Sequence, residues 1–402
     1  MKYIVLIGDG MADMPIESIG GMTPLQKAAT PNMDSLASGG VIGMVKTVPD
    51  GFPPGSDVAN LSILGYNPQE FYSGRAPLEA ASMGIPLDLT DAAFRCNLVC
   101  LDFKDDVTNM ADYSAGHISS EEAKILIMDI NRELSNDKIS FYPGISYRHL
   151  MVWRDGAIDM SCTPPHDITG KPATPYLPHG NGADVLLELM KQSQEILKGH
   201  PVNRERIRHG KPQATSIWLW GQGKRPALPL FKAKYGIEGS LISAVDLTKG
   251  LGICAGLKII DVPGATGYLD TNYTGKAQYG IESLKDRDFV YIHVEAPDEA
   301  GHSGKLGDKL RAIEDFDSLV VGEVLRLLKD AGDYKILLMP DHPTPIALKT
   351  HTNAPVPFAI YDSRDVKADK SISYSEEIAS SNGAIFIDEG HTLMNYFIKG
   401  QR

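Results

Sequence analysis

A set of short apolar runs, each stopping at a polar or glycine-rich corner, limits what this chain can become. "YIVLI" stops at Gly8-Asp9-Gly10, "DFVYIHVEAP" ends near Asp298, and "YKILLMP" ends at Asp341-His342. "SIWLWG" (216–221) and "PFAIYD" (357–362) look similar. Continuous apolar runs of this length suit strands buried on both faces. Helical patterns lie between them. "DKLRAIEDFDSLVVGEVLRLLKDAG" (308–332) is amphipathic, and "TPNMDSLASGG" (30–40) opens on Thr-Pro and closes on glycines. Buried strands alternating with such helices predict an α/β domain around a mostly parallel sheet.

The middle of the chain reads differently. "FRCNLVCLDF" looks like a strand, "SSEEAKILIMDINREL" like a helix with acids in its first turn, and "HLMVW" with "AIDMSC" like a hairpin. The Pro- and Gly-rich stretch 163–182 reads as loop, and a helix at 183–198 closes the block. This predicts a smaller α+β domain at 87–212, inserted into a larger domain made of 1–86 and 213–402.

The 402 residues, 43% of them hydrophobic, are ample for two cores. A net charge of −12 argues against sequence-independent nucleic-acid binding, which depends on neutralising phosphates. The apolar run before Gly8 is too short for a signal peptide or a membrane span, and no other stretch approaches one. Cys96, Cys100, Cys162 and Cys254 suggest no disulfide framework. The expectation is a reduced, soluble, cytoplasmic protein with a small-molecule partner, neither nucleic acid nor membrane. Its oligomeric state is left open.

"GFPPGSDVANLSILGY" (51–66) holds Ser56 between a Pro/Gly corner and a helical run. Ser is a favoured helix cap. A cap is the ordinary reading of Ser56, but a helix start also suits a bound anion, which keeps a reacting group open. The stretch alone leaves both open.

Acids and histidines gather at the predicted strand ends. These are Asp9, the Asp298/His302 pair, adjacent Asp341 and His342, and His351 in "LKTHTNAP". Singly, each has an ordinary reading as a turn former or local cap. In open parallel sheets, however, the strand C-terminal edges collect the functional loops. Carboxylates mixed with imidazoles suit Mn, Zn or Mg, and a pair of such ions would clamp an in-line phosphoryl displacement.

Together these groups give the chain a family likeness. In order and local context, Asp9, Ser56, Asp298, His302, Asp341, His342 and His351 resemble the alkaline phosphatase superfamily. Within it, "GDGMAD", "PPGSDVANLSILGY", "SGRAPLEAASMGI", "PDEAGHSG" and "HTNAPVPF" are similar to the archaeal-type 2,3-bisphosphoglycerate-independent phosphoglycerate mutases. The resemblance implies an alkaline-phosphatase-like three-layer domain with an inserted lid. It implies two divalent cations, Mn²⁺ first with Zn²⁺, Mg²⁺ or Co²⁺ as alternatives, and no 2,3-bisphosphoglycerate. One ion would sit on Asp298, His302 and His351, the other on Asp9, Asp341, His342 and the Ser56 oxygen. Ser56 would be the nucleophile that carries phosphate between the 3- and 2-oxygens of glycerate.

A lid for a small phosphorylated hydroxy acid needs groups for the carboxylate. The family comparison favours His117. Asp112, Arg75, Arg148, His149, Arg204, Arg206 and Lys276 are further candidates, Arg being the better bidentate ligand. A homoserine kinase-like phosphotransferase of the same branch would use the same metal set, and a phosphatase is the remaining rival.

Overall fold

A computed structural model of the chain describes residues 1–104, 107–366, 372–381 and 384–400. It divides into two compact units, Met1–Tyr72 with Leu228–Arg402, and Ser73–Ala227.

The first unit is built on an eight-stranded sheet. From one edge its strands are Lys258–Ile259, Gly239–Ile242, Phe289–Val294, Lys2–Gly8, Tyr334–Met339, Val356–Asp362, Val41–Val45 and Ile385–Ile387. All run parallel except Val356–Asp362, which is antiparallel to both neighbours. The central runs are apolar throughout because both sheet faces are covered. Ile4, Leu6, Val290, Ile292, Ile336 and Leu338 share one core with Met33, Leu36, Ala277, Ala312 and Phe316 of the helices on that side. On the other face Tyr3 meets Phe397 edge-on, Phe289 packs on Phe231, and the Tyr291 hydroxyl bonds Asn60. This is a three-layer α/β unit.

The long amphipathic pattern forms helix Leu306–Asp315, a π-helical turn Phe316–Val321, and helix Gly322–Leu328. The extra residue of a π turn rotates the stripe that follows. Here the π turn carries Phe316, Val320 and Val321 into the core. It also buries Asp317, which accepts from the Met33 amide at 2.7 Å and the Asn32 side chain at 2.8 Å.

The second unit is wider than the expected 87–212, for two physical reasons. Helix Ala76–Ser82 packs Ala76 and Ala80 with Ile85, Leu87, Leu150 and Val152. "SIWLWG" is not a strand of the parallel sheet but part of Ser216–Lys224, antiparallel to Ala92–Lys104. Ala92–Lys104 also pairs antiparallel with Val107–Asp112 and Arg148–Trp153, and the latter with Ile139–Tyr142. The expected "HLMVW"/"AIDMSC" hairpin does not form, since Met160–Ser161 pairs instead with His179–Gly180. Helices Ser120–Leu134 and Ala183–Leu197 bury Leu126, Ile127, Leu186 and Met190 with Phe94, Leu98 and Trp218. No helix of the described residues is long and apolar enough to cross a membrane.

Candidate metal centre and nucleophile

The sheet delivers the predicted site residues to one edge. Asp9 follows the end of Lys2–Gly8, Asp298 and His302 lie on helix Ala296–Ser303 just beyond Phe289–Val294, and Asp341-His342 follow Tyr334–Met339. His351 precedes the one antiparallel strand, which begins where its neighbours end. The loop from Met339 to Val356 therefore stays at that same edge.

Ser56 is the first residue of helix Ser56–Ile63, whose N-cap is Gly55. No side chain caps this helix. The Ser56 oxygen instead faces His342 Nε2 at 3.0 Å and is half-buried. The helix is buried almost all round, polar Asp57, Asn60 and Ser62 as well as apolar Val58, Ala59, Leu61 and Ile63, which seats its start firmly in the unit.

Around this pair the ligand-type atoms converge. His342 Nε2 lies 3.6 Å from Asp9 Oδ1 and 3.5 Å from Asp341 Oδ2. His302 Nε2 lies 3.2 Å from Asp298 Oδ2 and 2.9 Å from His351 Nε2, and His351 Nε2 lies 3.4 Å from Asp298 Oδ1. His302 Nδ1 faces the Lys349 carbonyl at 3.0 Å and His351 Nδ1 the Pro54 carbonyl at 3.4 Å. A carbonyl only accepts, so these contacts put the proton on Nδ1 and aim the Nε2 lone pairs into the cluster.

Asp341 is held from three sides. Its Oδ1 accepts from the Gly10 and His342 amides at 3.1 and 2.9 Å, and its Oδ2 from Asn60 Nδ2 at 2.8 Å. Burial raises its pKa, but the His342 and His293 imidazoles outweigh burial and keep it well below the usual carboxylate range. Asp9 goes the other way. Burial pushes its carboxyl well up, and the Asp341 and Asp298 charges add to the push. Asp298, buried but facing His302 and His351, is held well below its ordinary value.

Cations fit this arrangement. Asp9 Oδ1 is fully buried with no hydrogen-bond partner, and a buried orphan of this kind is costly unless something positive meets it. Two sets, Asp298/His342/His351 and Asp9/His293/Asp341, each bring one ligand atom per residue within 4.8 Å of the others. Oxygen and imidazole donors suit Mn²⁺, Zn²⁺, Co²⁺ or Mg²⁺.

A scan against family models matches residues 37–203 to the 2,3-bisphosphoglycerate-independent phosphoglycerate mutase model. A Methanosarcina barkeri protein named 2,3-bisphosphoglycerate-independent phosphoglycerate mutase is 54% identical, with all of both chains covered. The chain belongs to this mutase family. A Geobacter sulfurreducens protein named as probable for the same activity is 53% identical over 99% of this chain and 100% of its own. Among solved structures, a Pyrococcus horikoshii protein matches at 32% identity and a TM-score of 0.82, covering 100% of this chain and 98% of its own. The archaeal relatives at this identity place the chain in the archaeal-type branch of the mutase family.

The candidates for substrate contact scatter. Lys276 lies in the first unit, fully buried, with its ammonium on Glu295 Oε2 at 2.5 Å and the His293 carbonyl at 3.0 Å. It is a structural cation, not a substrate ligand. Arg206 is buried too, bonding Glu122 at 2.6 Å and the Ala115 and Pro212 carbonyls, so it anchors a loop. His149 is buried with the Gly144 amide on its Nδ1. Asp112 accepts from the Ser114 amide and hydroxyl at 2.7 and 2.6 Å and shapes its own turn. Arg204 stands exposed on helix Pro201–Arg208.

His117, Arg148 and Arg75 lie elsewhere in the second unit. His117 is exposed at a left-handed φ of 48° beside Tyr113 and Tyr147. Arg148 lies over the Tyr147 ring. Arg95, stacked 4.3 Å over Trp220, has its guanidinium pKa lowered by burial and by nearby Arg75 and Arg148, partly offset by Glu79. The second unit thus concentrates cations and aromatic rings in one place. The sequence reading missed Arg95 there, and it missed His293 and Asn60 in the first unit. His293 sits inside an apolar strand, where its only signal is a lone imidazole one residue from the strand end.

Proposed function

We propose that the chain interconverts 3-phosphoglycerate and 2-phosphoglycerate through a phosphoserine on Ser56, without 2,3-bisphosphoglycerate. One observation carries this reading: Ser56 Oγ, uncommitted to capping, faces His342 Nε2 inside a buried set of carboxylates and imidazoles. End-to-end likeness above 50% to proteins named as such mutases favours it over the homoserine kinase-like reading.

Asp9, Asp341, His342 and Ser56 would hold one divalent cation, Mn²⁺ by first preference, and Asp298, His302 and His351 the other. Bound there, these ions supply Lewis acidity that favours the serine alkoxide and neutralises phosphoryl charge. The start of helix Ser56–Ile63 offers outward amides and the positive end of its dipole to the phosphate. Ser56 Oγ attacks phosphorus, the Oγ–P bond forms, and the bond from phosphorus to the 3-oxygen breaks. The serine proton ends on the 3-oxygen of glycerate. In the second half the 2-oxygen attacks phosphoserine, Oγ leaves, and the 2-hydroxyl proton returns to it.

Glycerate must stay bound between the halves, since water would otherwise hydrolyse phosphoserine. The Ser73–Ala227 unit is assigned to this task, with His117, Arg148 and Arg75 on the carboxylate. That interconversion is a step of glycolysis and gluconeogenesis, and the cytoplasm is the location proposed for it.

The test is an enolase-coupled assay on purified protein with Mn²⁺ and 3-phosphoglycerate, omitting 2,3-bisphosphoglycerate. Turnover that chelator abolishes and Mn²⁺ restores is expected. Release of inorganic phosphate alone would make the chain a phosphatase, and no turnover in metal-loaded protein would overturn the reading.

A further inference from the structure

His293 is the one buried imidazole at the site for which the mutase reading has no use. It is the penultimate residue of strand Phe289–Val294, paired in register with Ile7, and it is fully buried. Its Nε2 has no hydrogen-bond partner. That atom lies 3.4 Å from Asp9 Oδ2 and 3.9 Å from Asp341 Oδ2, between two carboxylates assigned to one cation.

The other ring nitrogen is held from behind. His293 Nδ1 lies 3.2 Å from Glu295 Oε1. Glu295 is itself anchored: Oε1 accepts from the Ala244 amide at 2.6 Å and the Ser243 hydroxyl at 2.7 Å, and Oε2 from Lys276 Nζ at 2.5 Å. Lys276 also bonds the His293 carbonyl at 3.0 Å, so one ammonium fixes both the carboxylate and the strand end. A carboxylate on Nδ1 selects the tautomer with the proton there and leaves the Nε2 lone pair directed at Asp9 and Asp341. A carboxylate behind an imidazole whose far nitrogen points at acidic groups is the usual arrangement of a metal-bound histidine.

We propose that His293 is a further protein side chain on the cation assigned to Asp9, Asp341, His342 and Ser56, bound through Nε2, with Glu295 and Lys276 as its positioning residues. The inference rests on the proposed two-cation site and adds a ligand to it.

The test reads metal, not turnover. Equilibrium dialysis of the full chain against Mn²⁺, followed by elemental analysis, gives stoichiometry and affinity. The visible absorption of the Co²⁺-loaded protein reports the ligand set. His293→Ala is expected to weaken one of two cations by tenfold or more and to change the Co²⁺ spectrum. Glu295→Gln keeps the shape, loses the charge behind the ring, and is expected to weaken the same cation by about tenfold. If His293 were instead a protonated counter-charge, removing it would leave the carboxylates more negative. Unchanged or tighter binding in His293→Ala therefore overturns the proposal. Should that variant fail to fold, unchanged affinity and spectrum in Glu295→Gln overturn it. Wild-type protein that binds no divalent cation would sink the two-cation reading itself, which is a separate result.

Discussion

Ser56 Oγ and His342 Nε2 lie 3.0 Å apart although 286 residues separate them along the chain. The serine oxygen is aimed at the metal-type cluster and does not cap its helix, because Gly55 holds the capping position and no side-chain cap is present. Ser56→Ala should therefore cost little stability, with an unfolding free energy within about 0.5 kcal/mol of wild type. Mutase turnover should fall by about 10³-fold or more, as expected for loss of a nucleophile. Thermal unfolding beside the enolase-coupled assay separates the two effects. A large drop in stability would return Ser56 to a structural role.

Gly10 sits at φ 60° between the first strand and the site. A Cβ there would lie 2.5 Å from Asp298 Oδ1, 2.5 Å from Thr344 Oγ1 and 2.7 Å from Asp298 Cα. The last of these is backbone and cannot swing away. Gly10→Ala should lose about 1–3 kcal/mol through the left-handed conformation and displace Asp298 as well. Weaker Mn²⁺ binding in dialysis, accompanying the stability loss, is the expected result; intact binding would show that the helix carrying Asp298 can move aside.

The buried His149 makes the second unit acid-sensitive. Burial lowers its pKa from 6.5 to about 3, and the Gly144 amide donates to its Nδ1 at 3.0 Å, which requires the unprotonated nitrogen. Above pH 6.5 the imidazole is neutral whether folded or not, and pH has no effect through it. Between pH 6.5 and about 3 the unfolded chain takes up a proton that the folded chain refuses. Stability then falls with decreasing pH, by up to about 1.4 kcal/mol per unit from this group. His149→Asn keeps an acceptor for Gly144 and removes the titration. Urea unfolding at several pH values between 7 and 4 should show a shallower decline in the variant, and parallel declines would refute the assignment.

Lys309 is fully buried, with Nζ 2.8 Å from Asp13 Oδ2 and 2.6 Å from the Thr344 carbonyl. Asp13 also accepts from the Ile346 amide, and Thr344 donates to Asp298. Lys309→Met strands a buried carboxylate and should cost about 3–5 kcal/mol. Its effect should reach the cation of Asp298 through Thr344, giving weaker Mn²⁺ binding in the fraction that remains folded. A stable variant with normal metal affinity would show that Asp13 finds water or another donor.

The apolar runs and the acids that follow them were legible because burial on both sheet faces demands unbroken hydrophobicity, and because a strand end is where a polar residue can leave the core. "SIWLWG" misled for the same reason. A two-faced apolar run looks alike in a parallel sheet and in an antiparallel sheet backed by helices, and only its pairing with Ala92–Lys104 assigns it to the second unit. Lys276 misled because charge type says nothing about burial. The lysine of "NYTGKA" reads as a candidate substrate contact until it is seen buried against Glu295.

By itself, then, the chain's order of residues determined the layered α/β architecture and the six acids and histidines at strand ends, since hydrophobic periodicity and polar strand ends are local properties; Ser56 stood out as a reacting group only through the family resemblance. Which of those groups meet, and which unlisted ones join them, was decided only by the tertiary structure. Asp9, His293 and Asp341 sit on three adjacent strands or just past their ends, and their distances depend on strand order and register, which no local pattern encodes. The single reversed strand, Val356–Asp362, is the plainest case: its direction keeps the loop bearing His351 at the same edge as Ser56, and that direction is set by pairing with strands far away in sequence.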